Sequence, residues 1–186
     1  GFGNFQGSVY IYTRSGEVWT LRTRLDAGTS AENGSAFGFS VALWGGRLFV
    51  GAPDATLNGQ LNQGAAFVYI GSGASWMRSQ VLQPIGASRY TEFGTSMSCA
   101  DGVLVVGSNH TNAYIFRYDG VAYAPEGVVS GNTAYSVSTS GGVVAVGSNS
   151  GQPANTWVDL YTRAPGLSQW GLLTRIYAPD GGTIGG

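Results

Sequence analysis

The feature that most constrains this chain is an internal repeat of a seventeen-residue segment. "FGFSVALWGGRLFVGAP" begins at Phe37, "FGTSMSCADGVLVVGSN" at Phe93 and "TAYSVSTSGGVVAVGSN" at Thr133. The copies align without a gap, and one serine and two glycines coincide in all three: Ser40, Ser96 and Ser136; Gly46, Gly102 and Gly142; Gly51, Gly107 and Gly147. Self-similarity at a spacing of 56 and then 40 residues is typical of repeat architectures such as solenoids and propellers.

A second repeated segment follows each copy of the first, and one also precedes the first copy. It begins at Gly7, Gly64, Thr111 and Thr156. Its aligned positions are aromatic or apolar: Tyr12, Tyr69, Phe116 and Tyr161; Trp19, Trp76, Tyr123 and Trp170; Leu25, Leu82, Val129 and Ile176. We therefore expect the recurring aromatic side chains to pack between repeated units.

Both segments have the residue pattern of β-strands. "SVYIY", "AAFVY" and "AYIF" are rich in β-branched and aromatic residues and are bounded by glycine turns at hairpin spacing. "RLFVGA", "VLVVGS" and "VVAVGS" are continuous apolar runs, as expected of strands buried on both faces. The pattern predicts an all-β chain of four-stranded antiparallel β-propeller blades, each an inner hairpin followed by an outer hairpin.

The strand count predicts about three and a half blades. Three inner and four outer hairpins give fourteen strands, which is half of a seven-bladed ring. The predicted boundaries are a half blade at 1–30, blades at 31–86, 87–130 and 131–180, and a tail at 181–186. Because open repeat edges expose backbone and apolar faces, we expect further propeller blades, from the same parent chain or another copy, as partners.

Composition bears on the setting of the protein. Charged residues make up 10% of the chain and the net charge is −1, so nothing favours nucleic acid as a partner. No apolar run is long enough to span a membrane. Low charge, 31 glycines and two glycosylation patterns at Asn33 and Asn109 favour an extracellular or cell-surface location.

Residues for catalysis are scarce. The only histidine, His110, lies in a predicted turn with no carboxylate or nucleophile close in sequence. Several acids, such as Asp101 and Asp119, precede a turn glycine, which turn chemistry explains. The single cysteine, Cys99, is expected to be a small buried filler. We predict a protein that is not an enzyme and has no catalytic residue.

One loop has the spacing of a calcium site. "DATLNGQLN" places oxygen-bearing side chains at alternate positions around a glycine, at Asp54, Thr56, Asn58, Gln60 and Asn62. Only Asp54 carries charge, so the alternative is an ordinary Asn-Gly hairpin loop without a cofactor. Trp44 has no aromatic counterpart in the other repeats, which makes it a candidate for stacking on a sugar or a partner protein.

Phe37-Gly38 followed by Gly51-Ala52-Pro53 resembles the FG-GAP repeat of integrin α-subunit-like β-propellers. The resemblance extends over 7–176, although Gly-Ala-Pro becomes Gly-Ser-Asn in later copies and Phe-Gly becomes Thr-Ala in the last. It implies a seven-bladed propeller with calcium in the loop between the first two strands of a blade. Here that loop, at Trp44-Gly45-Gly46, has no acids.

The resemblance and the residues together favour a non-enzymatic structural or interaction module that binds a protein or glycan through propeller loops. Two alternatives remain open. The chain could be the non-catalytic or catalytic propeller portion of a secreted hydrolase that acts on glycans or lipids, which an acid pair converging in the central channel would favour. A glycan-binding lectin would need equivalent aromatic and arginine pockets in every blade, and the loops share no such set.

Overall fold

The strands of this protein form four separate antiparallel sheets. The computed structural model describes residues 7–27, 36–86, 88–110, 112–130, 133–149, 156–163 and 169–177. Within these ranges there are fourteen strands and no helix, so the predicted all-β fold and the four-stranded unit are confirmed.

The first sheet is an isolated hairpin. It consists of β1 (Ser8–Ser15) and β2 (Val18–Asp26). We call it blade 1, because its sequence aligns with the outer hairpins of the larger sheets.

Each of the other three sheets has four strands in sequence order. Blade 2 contains β3 (Val41–Trp44), β4 (Arg47–Ala52), β5 (Ala65–Ser72) and β6 (Ser75–Leu82). Blade 3 contains β7 (Phe93–Ala100), β8 (Val103–Ser108), β9 (Asn112–Tyr118) and β10 (Tyr123–Ser130). Blade 4 contains β11 (Ala134–Ser140), β12 (Val143–Asn149), β13 (Thr156–Arg163) and β14 (Trp170–Tyr177).

The chain divides into two compact units, residues 1–94 and 95–186. In the first unit the core contains Phe37, Val50 and Phe67, against which Val9 and Ile11 of β1 pack. In the second unit, residues of blades 3 and 4 share one core, including Val105, Ile115 and Val146. The apolar second strands of blades 2 and 3 are buried along almost their whole length, as the sequence predicted. In blade 4 the prediction of burial on both faces is wrong, because β12 alternates between half-buried and buried residues.

The aligned serine and glycine of the first repeat contact the start of the next repeat, within the first unit in one case and within the second unit in the other. The Ser40 hydroxyl donates to the Gly94 carbonyl at 2.7 Å, and a Cβ on Gly51 would collide with the same carbonyl oxygen. Ser96 donates to the Ala134 carbonyl at 3.4 Å, and Gly107 is held against that oxygen in the same way. Glycine is required here because no side chain fits between the strand and the carbonyl.

Every outer hairpin contains a β-bulge at the same aligned position. In blade 1, Tyr12 pairs with Leu21 but Ile11 pairs with Thr23, which leaves Arg22 without an opposite residue. The same shift leaves Ser79, Glu126 and Leu173 unopposed in the other three hairpins. A bulge adds local twist and redirects one side chain, and the repeat predicted from sequence did not reveal it.

Candidate interaction site

The longest described loops lie at one end of blade 2. Residues 53–64 connect β4 to β5, and residues 83–92 connect β6 to β7. Because β4 and β6 both run toward this end of the sheet, the two loops leave it side by side. The corresponding connections of blade 3, at 109–111 and 131–133, are short. We call the pair 53–64 and 83–92 the loop platform.

Backbone hydrogen bonds join the two loops. The amide of Tyr90 donates to the Leu61 carbonyl at 2.9 Å, and the amide of Glu92 donates to the Asn62 carbonyl at 3.0 Å. Phe93 continues the series with a 3.1 Å bond to Gln63. The side-chain amide of Asn58 also donates to the Gln83 side chain at 3.4 Å. The platform is therefore a connected surface and not two independent loops.

The backbone of the platform is unusual for its residue types. Four non-glycine residues have φ in the left-handed region: Asn58 (53°), Asn62 (49°), Tyr90 (61°) and Glu92 (53°). Asparagine tolerates this region, but tyrosine and glutamate rarely adopt it. Such residues concentrate at functional sites, where the surrounding structure holds them.

The predicted calcium loop contains a tight turn. Leu57 and Gln60 form an isolated bridge around Asn58-Gly59, and both turn residues have positive φ. This is the conformation that the hairpin interpretation requires. Thr56 is buried, and Gln60 and Asn62 are half-buried. No cluster of three or more histidine, cysteine or acidic residues that could hold a metal occurs among the described residues. Calcium binding here stays a prediction.

The structure brings a second acid to this loop. Partial burial raises the pKa of Asp54, and the nearby negative charge of Glu92 raises it further. Sequence reasoning missed Glu92, since 37 positions separate the two acids and no local pattern connects them. Close by in the chain, the side-chain oxygen of Gln63 is buried and has no hydrogen-bond partner. The platform thus combines like charges with an unsatisfied polar atom.

Apolar side chains are also exposed on the platform. Leu61, Ile85 and Tyr90 are 42%, 49% and 55% exposed. Exposed aromatic and aliphatic side chains with polar groups around them are typical of a protein interface, which has an apolar centre and a polar rim. This mixture can bind another molecule, but the groups present supply no nucleophile with an adjacent base.

Trp44 lies apart from the platform. It is half-buried at the end of β3, where it pairs with Arg47 at the turn of the inner hairpin. This turn is at the opposite end of blade 2 from the platform, so the structure does not bring Trp44 together with Asp54. Its role in binding stays a prediction.

The remaining predicted sites are scattered. Asn109 is half-buried directly after β8 and His110 beside it is exposed, whereas Asn33 lies outside the described residues. Cys99 forms no disulfide, and its sulfur lies 3.5 Å from the Tyr123 hydroxyl. It is half-buried, like the other residues of β7 from Thr95 to Ala100, so the expected burial is wrong.

The aligned aromatics occupy one position, the first residues of the fourth strand, but their burial differs. Tyr123 and Trp170 are buried, Trp76 is half-buried and Trp19 is 64% exposed. In the second unit Trp170 contacts blade 3, because a Cβ on Gly127 would lie 3.2 Å from its ring. The expected packing between blades is therefore present there.

Two acids of the second unit, Glu126 and Asp159, have largely buried side chains that form ion pairs and hydrogen bonds. Glu126, the bulge residue of blade 3, binds Arg117 at 2.7 Å and Arg163 at 2.8 Å, and accepts from the Trp170 indole at 3.3 Å. It thereby connects blade 3 to two strands of blade 4. Sequence reasoning gave Glu126 no role, although its position in the aligned hairpins was visible.

The second of these acids, Asp159, is completely buried. Its carboxylate accepts two hydrogen bonds from Arg175, at 2.6 and 2.8 Å, and one from the Trp157 indole at 3.1 Å. These bonds hold the pKa of Arg175 above its usual value. An acid committed in this way is structural, and the alignment could have identified it, since Asp159 replaces an aromatic residue in the other repeats.

Comparison with known proteins agrees with the sequence resemblance. The FG-GAP repeat family matches residues 19–69, which include β3, β4 and most of the flanking strands. This match confirms the FG-GAP repeat in the first unit, and the four antiparallel sheets are consistent with an FG-GAP repeat β-propeller. No curated protein matches the chain significantly.

The described part of the chain contains no helix of the length and apolarity needed to cross a membrane.

Proposed function

We propose that this protein is a non-enzymatic interaction module of the extracellular space or cell surface, which binds a protein partner through the loop platform of blade 2. The observation that carries the proposal is the platform itself, a hydrogen-bonded loop pair on an FG-GAP repeat with strained residues and exposed apolar side chains. Rigid sheets that present loops are a common solution for recognition.

Three features support a protein partner over a sugar. The platform exposes Tyr90, Leu61 and Ile85, and such a mixture suits the apolar centre of a protein interface. Its hydrogen-bonded backbone lowers the entropic cost of ordering the loops on binding. A lectin site would be expected to recur in each blade, whereas the corresponding loops of blade 3 are short.

The non-enzymatic assignment has support from the family and from the chemistry of the platform. FG-GAP repeat domains are generally non-catalytic and typically occur in extracellular proteins. Glu92 is close enough to Asp54 to raise the pKa of that carboxyl. A hydrolase portion remains the alternative that such an acid pair could serve.

The experiment is affinity capture from an extracellular protein fraction with the whole chain as bait, quantified by mass spectrometry. The bait variant Tyr90→Gly removes the aromatic ring and relieves the positive φ, so it leaves the fold in place. The matched control is Met77→Lys, at an exposed site on β6.

A partner captured by the wild type and by Met77→Lys, but lost with Tyr90→Gly, would support the proposal. Capture that is unaffected by Tyr90→Gly would move the interface away from the platform. Turnover of a glycoside substrate that is lost in Asp54→Asn would favour the hydrolase alternative.

A further inference from the structure

The edge of β1 that faces away from β2 has no strand beside it among the described residues. The equivalent strands of the complete blades, β5, β9 and β13, are paired on both sides. In the complete blades the third strand pairs with the second strand on one side and with the fourth on the other. Within the described residues, β1 pairs only with β2. An open strand edge is a template for another strand.

The neighbouring face of blade 2 is uncovered at the same place. Val41 and Leu43 on β3 are 54% and 70% exposed. Their aligned counterparts on β11, Val137 and Thr139, are only 9% and 8% exposed. The two faces have the same position in the repeat, so something that covers β11 is absent beside β3.

The second unit shows what covers this face. Val103 and Val105 of β8, an inner strand, share one core with Val137 and Val144 of blade 4. The backbone amide of Thr139 also donates a hydrogen bond to the side-chain hydroxyl of Ser98 on β7, at 3.1 Å. An inner hairpin of the preceding blade is therefore the covering element.

A cavity occupies the corresponding space in the first unit. It has a volume of about 320 Å³ and is lined by residues 9–13 of β1, 41–43 of β3, Leu48 and Trp76. It lies between the open edge and the uncovered face, so a strand paired with β1 would enter it.

We infer that this place is a docking site for an inner β-hairpin of the repeat type, supplied by a polypeptide segment other than those described here. The hairpin adds to the sheet of blade 1 through main-chain hydrogen bonds to β1 and inserts apolar side chains over Val41 and Leu43. This inference concerns a different surface from the loop platform and does not depend on it.

The register of the complete blades specifies the sequence of the guest. In blade 2, Val68 aligns with Ile11 and pairs with Phe49 of the inner strand. In blade 3, Ile115 aligns with Ile11 and pairs with Val105, so the inner strand carries an apolar side chain at this position. Ala66 of blade 2 aligns with Val9 and pairs with Gly51. The guest therefore needs an apolar strand that ends in glycine.

A serine on the first strand of the guest would complete the site. Ser40 and Ser96 each donate to the carbonyl of a residue aligned with Gly38. The guest serine would donate to the Gly38 carbonyl, and the guest glycine would allow the close approach.

A second folded copy of this chain is a poor guest, because its inner strands are already paired. Each of β4, β8 and β12 has a hydrogen-bonded neighbour on both sides. A copy would have to unfold a blade to donate one, whereas a separate hairpin has no such cost.

The test is a titration of the whole chain into a fluorescently labelled peptide with the sequence of residues 37–53, followed by anisotropy. This peptide carries the serine, the turn and the glycine-terminated strand. We expect saturable binding, weakened at least about tenfold by Val41→Lys or Leu43→Lys in the protein, since a charge would be buried. Met77→Lys on β6, 77% exposed, is the control and should leave affinity unchanged.

Two peptide variants test the predicted contact with Gly38. Gly51→Val in the peptide should abolish binding, because the added side chain collides with the Gly38 carbonyl. Ser40→Ala in the peptide should weaken binding about fivefold through loss of one hydrogen bond. Thermal melting of each protein variant checks that it is folded.

The inference fails if the peptide does not bind saturably, or if it binds Val41→Lys as well as the wild type. It also fails if analytical ultracentrifugation finds a dimer of the chain that Val41→Lys dissociates, since the occupant would then be a second copy.

Discussion

The outer hairpins of blades 2 and 4 place very different side chains at one register position. Phe67 on β5 lies opposite Val50, and Asp159 on β13 lies opposite Val146. Both residues are almost completely buried, at 1% and 0% exposure. The aromatic ring and the carboxylate thus occupy the same place in the same kind of sheet.

Each blade satisfies its residue in its own way. Phe67 makes an edge-to-face contact with Phe37, with ring centroids 5.5 Å apart. Asp159 is held by the two Arg175 bonds and by Trp157, and the guanidinium stacks 4.4 Å from the Trp157 ring. The comparison teaches that the repeat requires a side chain that fills the position of Phe67 and Asp159 and whose polar atoms, if it has any, are hydrogen-bonded. The repeat does not require that this side chain be apolar or charged.

The largest effect is expected from Asp159→Ala. It leaves the Trp157 indole and the inner part of Arg175 without their acceptor and opens a cavity. Breaking a buried pair costs about 3–5 kcal/mol, which equilibrium denaturation would measure. Glu17→Ala, at the exposed turn between β1 and β2, is the matched control; a loss as small as that of the control would show that the network contributes little.

A double substitution tests whether the two chemistries are interchangeable. Asp159→Phe with Arg175→Val reproduces in blade 4 the cross-strand pair of Phe67 and Val81 in blade 2. Replacing a buried ion pair by apolar residues is often neutral or stabilising, so the double variant should lie within about 2 kcal/mol of the wild type. If it is no more stable than Asp159→Ala, the surroundings of Asp159 are specific to the ion pair.

The serine contact gives a smaller difference between the same two blades. Ser40→Ala should cost about 1 kcal/mol, the usual net value of one hydrogen bond, because Ser40 is bonded to Gly94. Ser136→Ala alters the aligned but exposed serine of blade 4 and should change the free energy of unfolding little. Equal losses in the two variants would mean that the contact with Gly94 is not the cause.

The acid in the loop of blade 2 should make stability depend on pH. The pKa of Asp54 is raised in the folded state, so its ionisation weakens the fold as pH rises from its ordinary value of 3.8 through the raised value. Asp54→Asn should therefore be slightly stabilising at pH 7, with the gain disappearing below about pH 4. Denaturation curves at pH 3.5 and 7 would measure this. A gain that persists in acid would exclude the ionisation of Asp54 as its source.

Calcium should have the smallest effect. The loop at 54–62 offers one carboxylate and neutral oxygens, and ligand charge is a main determinant of calcium affinity. We expect melting temperatures in 1 mM calcium and in chelator to agree within about a degree. A melting temperature lower by many degrees in chelator would contradict this expectation. It would show that bound calcium in this loop, rather than the buried Asp159, is the main electrostatic difference between the two blades.

The sequence predicted the strands well, because hairpin turns and apolar runs are local signals. It could not predict the neighbours of Asp54 or Glu126, since these depend on side chains that approach through the fold. The bulge shows a subtler limit. Trp76 and Leu82 are six residues apart, so alternation places them on one face, but their partners Gly71 and Ala66 are five apart. Because Ser79 is an extra residue, the two side chains lie on opposite faces.

The bulge also shows how strongly one added residue affects a strand, and this bears on where the repeat can differ in length. Deleting or inserting one residue within a strand of an outer hairpin would exchange the faces of every later position in that strand. The repeat spacing nevertheless falls from 56 to 40 residues, and the difference lies in the loop platform, at 53–64 and 83–92, compared with 109–111 and 131–133. Repeated blades of this kind can therefore differ in their loops at one end of the sheet, and a recognition surface can form there without a change in the register of the strands.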